Sequence, residues 1–331
     1  MWKYFAFLTA LAVVAPLPLR LGYLVARVVA DISFLLANCS RTGVASNVRH
    51  VLGPEADDGL VKHVTLGVFR TTARNMFDLI ALPRFDLAAM ESRLDIHGWH
   101  YLEEALARGK GVVLASIHLG NTDMAVQVVR ARSAKMTILS EVVQPLELDR
   151  LSRRLRECNG ISLLPVTYSG LKEAIRRLKR GEVVAIACDR AIQGSGLSME
   201  FLGAPALIPV GAVDLALRTG AAIVPAFAAR HKGYRYAFYF EPPIYVPSNG
   251  NRPNNIRQPL GRIVSWMEKY IRRFPDQWMV FSPVWDGRAV GSAEAALPSK
   301  RRGQAADFNG VETPAPVSRG STGHVATSSN G

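Results

Sequence analysis

The chain is short of the features that mark several common classes. Its three cysteines, Cys39, Cys158 and Cys188, are odd in number and far apart. That excludes a disulfide framework or a cysteine metal site, and each reads as a small buried hydrophobe. No Gly-x-Ser-x-Gly elbow occurs, so a serine hydrolase lacks its nucleophile. No Gly-x-Gly-x-x-Gly follows a strand, and Gly194-Ser195-Gly196 lacks the Gly-Lys-Ser/Thr of a phosphate loop. Zinc-ligand spacing, aromatic RNA-binding signatures and basic regions with heptads are also missing, which argues against nucleic acid as a partner. Acidic residues are scarce: 27 Asp and Glu against 40 Lys and Arg, a net charge of +13. Such an excess fits an anionic partner: phospholipid head groups, a phosphorylated or acidic substrate or, as the weaker choice, nucleic acid.

What the 331 residues do hold is apolar material, 49% of the chain, enough for one large α/β domain with appendages. The first apolar run, Phe5 to Leu19, is 15 residues, below the roughly 20 that a spanning helix needs. Pro16 and Pro18 interrupt it, and Arg20 and Arg27 punctuate its continuation. A cleaved signal peptide fits poorly, because Lys3 is its whole basic region. Residues 1–41 are therefore read as a monotopic anchor, with Trp2, Tyr4 and Tyr23 at head-group level and Arg20, Arg27 and Arg41 meeting anionic lipid. A helical pair packed on the main domain is compatible with that reading.

Residues 42–96 read as helical. Val61 to Leu82 carries apolar residues at helical spacing, and Arg70 and Arg74, one turn apart, read as a solvated stripe or as phosphate contacts. A unit then recurs three times: helix, glycine, apolar strand. The glycines are Gly109, Gly181 and Gly220, and the strands begin at Val112, Val183 and Ala221. Repeated crossover units predict a mainly parallel central sheet flanked by helices. Met136 to Leu139 adds a strand, and the aromatic segment Tyr234 to Phe240 suits one nearer an edge. Ile256 to Phe274 is an amphipathic helix. The main domain spans 42–287, and the Ser-, Gly- and Pro-rich stretch 288–331 reads as a disordered tail.

The stretch that organises the rest is Val112 to Asp123. Its strand ends at His118, where parallel sheets place their ligands at carboxyl ends. Gly120-Asn121 suits a turn, and Thr122-Asp123 suits a helix start. On one continuous helix His118 and Asp123 would lie roughly 140° apart, so contact between them requires the turn. Asp123 then either orients the imidazole as the partner of a general base or caps the helix. Asp189-Arg190 closes the second recurring strand and can share the edge with His118, as site residues or as a structural ion pair. Glu200 stands alone in an apolar run, where it points to water or pairs with an imidazolium. Arg150, Arg153, Arg154 and Arg156 suit a phosphate or form a solvated helix face.

Several blocks, in order, carry a family resemblance. They are Glu104-Ala105-Leu106 through Val113, Ile117 to Asp123, Cys188-Asp189-Arg190, Glu200 to Ala206, Val224-Pro225, and Ile271 to Trp278. Across about residues 20–286 the chain resembles the lipid A late acyltransferases of lauroyl/myristoyl type, particularly the phosphatidylinositol mannoside acyltransferases. The resemblance implies a glycerolipid acyltransferase-like fold at the cytoplasmic face of the cell membrane. It also implies acyl transfer from acyl-CoA or acyl carrier protein to a glycolipid hydroxyl, without metal or cofactor. It casts His118 as general base, with Asp123 and Glu200 as acidic partners, and Asn121, Arg154, Asp189, Arg190, Phe201 and Gly203 around the substrates. Thr122 stands where the family commonly has an aromatic, which bears on acceptor choice. The competing expectation is a lipid-binding relative without catalysis, or the same chemistry on a lysophospholipid.

Overall fold

A computed structural model describes residues 9, 12–86, 91–132, 135–191, 196–247 and 252–285. Trp2, Tyr4 and the tail expected from residue 288 lie outside these. Among the described residues, α1 (Leu19–Leu36), α2 (Asn38–Leu52) and α3 (Asp58–Ala81) precede the α/β body. The α/β body follows with β1 (Leu94–His97), α4 (Trp99–Ala107), β2 (Val112–Ser116), α5 (Thr122–Arg132), β3 (Met136–Ser140), α6 (Leu146–Glu157) and β4 (Ser162–Pro165). It continues with α7 (Tyr168–Lys179), β5 (Val183–Ala187), β6 (Leu197–Phe201), β7 (Ala204–Ile208), α8 (Gly211–Thr219), β8 (Ala222–His231), β9 (Arg235–Phe240) and α9 (Arg252–Arg273).

Seven strands form one sheet in the order β1-β9-β8-β2-β5-β3-β4, and β6 and β7 form a separate hairpin. Every neighbour pair in the large sheet is parallel except β8 with β9. The recurring units thus supply the centre, β5-β2-β8. The glycines before those strands take positive φ, 69° at Gly109, 80° at Gly181 and 72° at Gly220, so each helix ends where a side chain would be strained. Both faces of the sheet are covered. Val113 and Ala115 pack with α7, α8 and α9, while Val112 and Leu114 pack with α4, α5, α6 and the end of α3. A strand buried on both faces has no polar alternation, which is why β2 reads as a continuous apolar run.

Two local expectations need correction. The stretch 42–96 is not helical throughout, because Leu94–His97 pairs with β9 as the edge strand. Leu94 and Ile96 do alternate with Asp95 and His97, but four residues are too short a run to stand out as a strand. The aromatic strand β9 lies next to that edge strand, near an edge as its composition suggested, and its last five residues are buried. Of the cysteines, Cys188 alone is buried; Cys39 and Cys158 are exposed.

The leading helices do pack on the body. Small residues of α1 make this possible: a Cβ at Gly22 would fall 2.0 Å from the Phe77 ring. Asp57 caps α3 by accepting from the backbone of Gly59 and Leu60, worth about 1 kcal/mol. Arg70 pairs through two contacts, 2.7 and 3.0 Å, with Asp31 of α1, so it is not a solvated stripe. The opposite face of α1 stays apolar and open, with Leu24 57%, Val28 50%, Ile32 49% and Leu35 70% exposed. Tyr23 departs from the head-group position expected for it. It turns inward, and its hydroxyl donates to Asp78 at 2.6 Å. Among the described residues no helix is long and apolar enough to cross a membrane.

Candidate active site

Strand register builds the site. Strands β2 and β5 run parallel with Ser116 opposite Ala187, so His118 and Asp189, each two residues further on, leave the sheet side by side. Asp189 is fully buried and receives three donors. They are the His118 backbone N–H at 3.0 Å, the Trp278 indole N–H at 2.9 Å and the His118 Nδ1 at 2.9 Å from its other oxygen. The buried carboxylate fixes the proton on Nδ1 and turns Nε2 away from it. The imidazole itself is 44% exposed.

The charges reinforce each other. Attraction to Asp189 raises the His118 pKa above its ordinary 6.5, against the opposing effect of burial. For Asp189, burial pushes upward, but the His118 charge and the hydrogen bonds to His118 and Trp278 hold it below its ordinary value.

The turn after His118 is clamped at almost every residue. The His118 carbonyl accepts from Met279 N–H at 2.8 Å, and Gly120 N–H donates to the Gln277 carbonyl at 3.0 Å. Asn75 donates to the Gly120 carbonyl. Gly120 has φ 60°, and a Cβ there would come within 2.4 Å of the Ala228 carbonyl oxygen; only glycine allows that approach. Asn121 is buried. Its oxygen caps Met124 N–H at 3.0 Å and its amide donates to Asp78 at 2.6 Å. It therefore holds the start of α5 and does not reach the cavity wall expected for a substrate contact.

His118 opens on a cavity of about 990 Å³, at the upper end of the roughly 300–1,000 Å³ usual for ligand sites. Much of its lining is apolar, including Leu114, Val126, Val129, Leu163, Phe227 and Phe238. Exposed Lys172, Arg190 and Arg218 also line it, and Arg190 pairs with Glu141. Thr122 and Asp123 of the first turn of α5 also face the cavity. Among the described residues, no group of three or more His, Cys, Asp or Glu is placed to hold a metal.

The site residues expected from sequence separate into two groups. His118, Asp189 and Arg190 come together. Asp123 stays on the cavity wall, but its carboxylate is taken by Arg156 of α6 at 2.7 and 3.3 Å, and the acid bonded to the imidazole is Asp189. Glu200 is exposed on β6 and does not line the cavity. Phe201 is buried against Trp278 and Trp285, and Gly203 makes the β6–β7 turn with φ 82°. Arg154 is exposed outside the cavity, while its neighbours Arg153 and Arg156 line it. Two roles escaped the sequence reading: that of Trp278, which lies inside a quoted block, and that of Arg156, which was weighed as a phosphate contact or a solvated residue and instead binds Asp123. The register also bears on Glu200→Gln. Substitution of an exposed charge is expected to leave kcat within about threefold of wild type in a thioester assay; a loss of two orders of magnitude would place Glu200 at the chemistry.

This buried-acid, histidine and apolar-cavity arrangement lies within a sequence that known families match. The family model described as bacterial lipid A biosynthesis acyltransferase covers residues 1–286. The chain belongs to that family. It is an acyltransferase acting on lipids. Similar curated proteins include the phosphatidylinositol mannoside acyltransferase of Mycobacterium tuberculosis (strain CDC 1551 / Oshkosh), 28% identical over 77% of this acyltransferase and 80% of that protein. The enzyme of that name from Mycolicibacterium smegmatis is 27% identical over 72% and 77% of the two chains. A solved 1-acyl-sn-glycerophosphate acyltransferase, PlsC, from Thermotoga maritima aligns with a TM-score of 0.35 and 13% identity, over 75% of this chain and 97% of that one.

Proposed function

We propose that this acyltransferase moves a fatty acyl group from a thioester to a hydroxyl of a membrane glycolipid, with His118 as general base. The observation that carries the reading is the hydrogen bond from His118 Nδ1 to the buried Asp189, on a ring that faces a largely apolar cavity. Nε2 removes the acceptor proton, and the oxygen attacks the thioester carbonyl. The tetrahedral oxyanion forms near the first turn of α5, where the amides of Thr122 and Asp123 are the available donors. The carbon–sulfur bond breaks, and the thiolate takes the proton back from the imidazolium. Asp189 stabilises that cation in between.

The apolar lining suits the acyl chain. Lys172, Arg190 and Arg218 suit the phosphate of a phosphopantetheine arm, which acyl-CoA and acyl carrier protein share. Asp123, held by Arg156, fixes the wall on which the acceptor rests and does not touch the base. The membrane itself is the occupant of the open face of α1: Leu24, Val28, Ile32 and Leu35 enter the acyl boundary, with Arg20 and Arg27 among the head groups of the cytoplasmic leaflet. The names of the curated relatives favour a mannosylated phosphatidylinositol as acceptor.

The test is direct. Purified protein receives palmitoyl-CoA or palmitoyl-carrier protein on anionic vesicles holding mannosylated phosphatidylinositol or a lysophospholipid. Mass spectrometry is expected to find the glycolipid heavier by one acyl group. Product on the lysophospholipid alone would move the acceptor to another class. Vesicle binding without any acylated lipid would leave a binder.

A further inference from the structure

The proposed mechanism leaves one buried charged cluster unused. Asp78 of α3 and Arg230 of β8 form an ion pair with side chains 2% and 8% exposed. Breaking such a pair is far more costly than breaking a surface one. Its connections run in two directions. Asn121, which caps α5, donates to Asp78 Oδ2, as does the Tyr236 hydroxyl at 2.9 Å. Arg230 also donates to Asn75 Oδ1 at 2.7 Å, and the Asn75 amide holds the Gly120 carbonyl. The cluster therefore grips both residues of the turn that follows His118 and Leu119.

In the other direction it reaches α1. Tyr23 donates to Asp78 Oδ1 at 2.6 Å, while the Arg230, Tyr236 and Asn121 donors converge on Oδ2. Arg230 in turn donates to the Tyr23 hydroxyl at 3.2 Å. The Tyr23 ring is lodged between Phe77 and Tyr234, with centroids at 5.3 and 5.2 Å. One residue further along α1, Leu24 is on the open apolar face.

We propose that Tyr23 is a positioning residue that makes the geometry of the His118 turn depend on the seating of α1, so that contact of α1 with a lipid surface tightens the active site. Resting on the reading of His118 as base, the proposal adds how a membrane reaches that base. The sequence of contacts is short. Lipid against Leu24 and Val28 presses α1 onto α3, and the Tyr23 hydroxyl holds Asp78 Oδ1. The carboxylate then keeps Oδ2 on Asn121, and Asn121 keeps the first turn of α5 wound. Without the hydroxyl the carboxylate is free to rotate, and the cap at Met124 loosens.

Tyr23→Phe keeps the ring and removes only the hydroxyl; Asn75→Ala, because Tyr236 itself meets the Tyr23 hydroxyl at 3.2 Å, is the comparison that removes a clamp on the Gly120 carbonyl and leaves the Tyr23–Asp78–Asn121 contacts in place. Amide hydrogen exchange of residues 118–126 is followed with and without phosphatidylglycerol/phosphatidylcholine vesicles. In wild type, vesicles are expected to slow exchange there. Tyr23→Phe exchanges faster and no longer responds to vesicles, although it still sediments with them. Asn75→Ala exchanges faster but keeps the vesicle response. With palmitoyl-CoA on vesicles, Tyr23→Phe loses about tenfold in kcat, the scale of one lost buried hydrogen bond, with KM unchanged. A wild-type turn indifferent to vesicles, or a Tyr23→Phe protein that responds as wild type does, overturns the proposal. Undiminished activity in His118→Ala would instead overturn the assignment of the base and leave the exchange result standing.

Discussion

His118→Ala is expected to lose about 10²–10⁴-fold in kcat for acyl transfer, the range that a positioned base contributes, while still binding anionic vesicles. The imidazole is 44% exposed, so its removal opens space at the cavity wall and leaves the core intact. Thermal melting should therefore stay close to wild type, which separates a chemical loss from an unfolded one. Thiol release from palmitoyl-CoA, with the acylated lipid counted by mass spectrometry, measures it. Wild-type turnover in this variant would remove the imidazole from the mechanism.

Asp189→Asn is expected to fall by about 10³-fold, within the range by which loss of the orienting carboxylate disables a histidine base. An amide can present its NH2 to Nδ1, which drives the ring proton to Nε2, where the lone pair is needed. The pH profile carries a second signature. Only neutral imidazole accepts a proton, so activity rises with pH as His118 deprotonates. In wild type the half-maximum should lie above 6.5, because Asp189 stabilises the cation. In Asp189→Asn that support is gone and the limb moves to lower pH. The variant thus has more neutral imidazole at pH 7 and less activity, a combination that a simple change of protonation does not produce. A limb that stays in place would deny Asp189 its role.

The body of the fold was legible because its central strands are buried on both faces. Apolar runs at Val112, Val183 and Ala222, each preceded by a glycine at positive φ, announce parallel crossover units. The end of such a strand also singled out His118, and the end of the next raised Asp189 as an edge partner. Which acid meets the imidazole was not legible. Asp123 is near in sequence, but Arg156 arrives from α6 and takes its carboxylate. Glu200 is on a hairpin whose relation to the sheet leaves no periodic trace. Asp189 wins through the β2–β5 register, a pairing between strands 71 residues apart at the contact. The inward turn of Tyr23 was hidden for a similar reason. An aromatic with a polar tip suits a head-group layer and a buried carboxylate equally well, and Asp78 and Arg230 come from distant segments.

A nitrogen-15 NMR titration of His118, in wild type and in Asp189→Asn, reads the proposed base without any assay of lipid product. The account predicts a neutral ring carrying its proton on Nδ1 and a wild-type pKa above 6.5, which drops when Asp189 becomes Asn. A ring protonated on Nε2, or a pKa that is the same in both proteins, would contradict it.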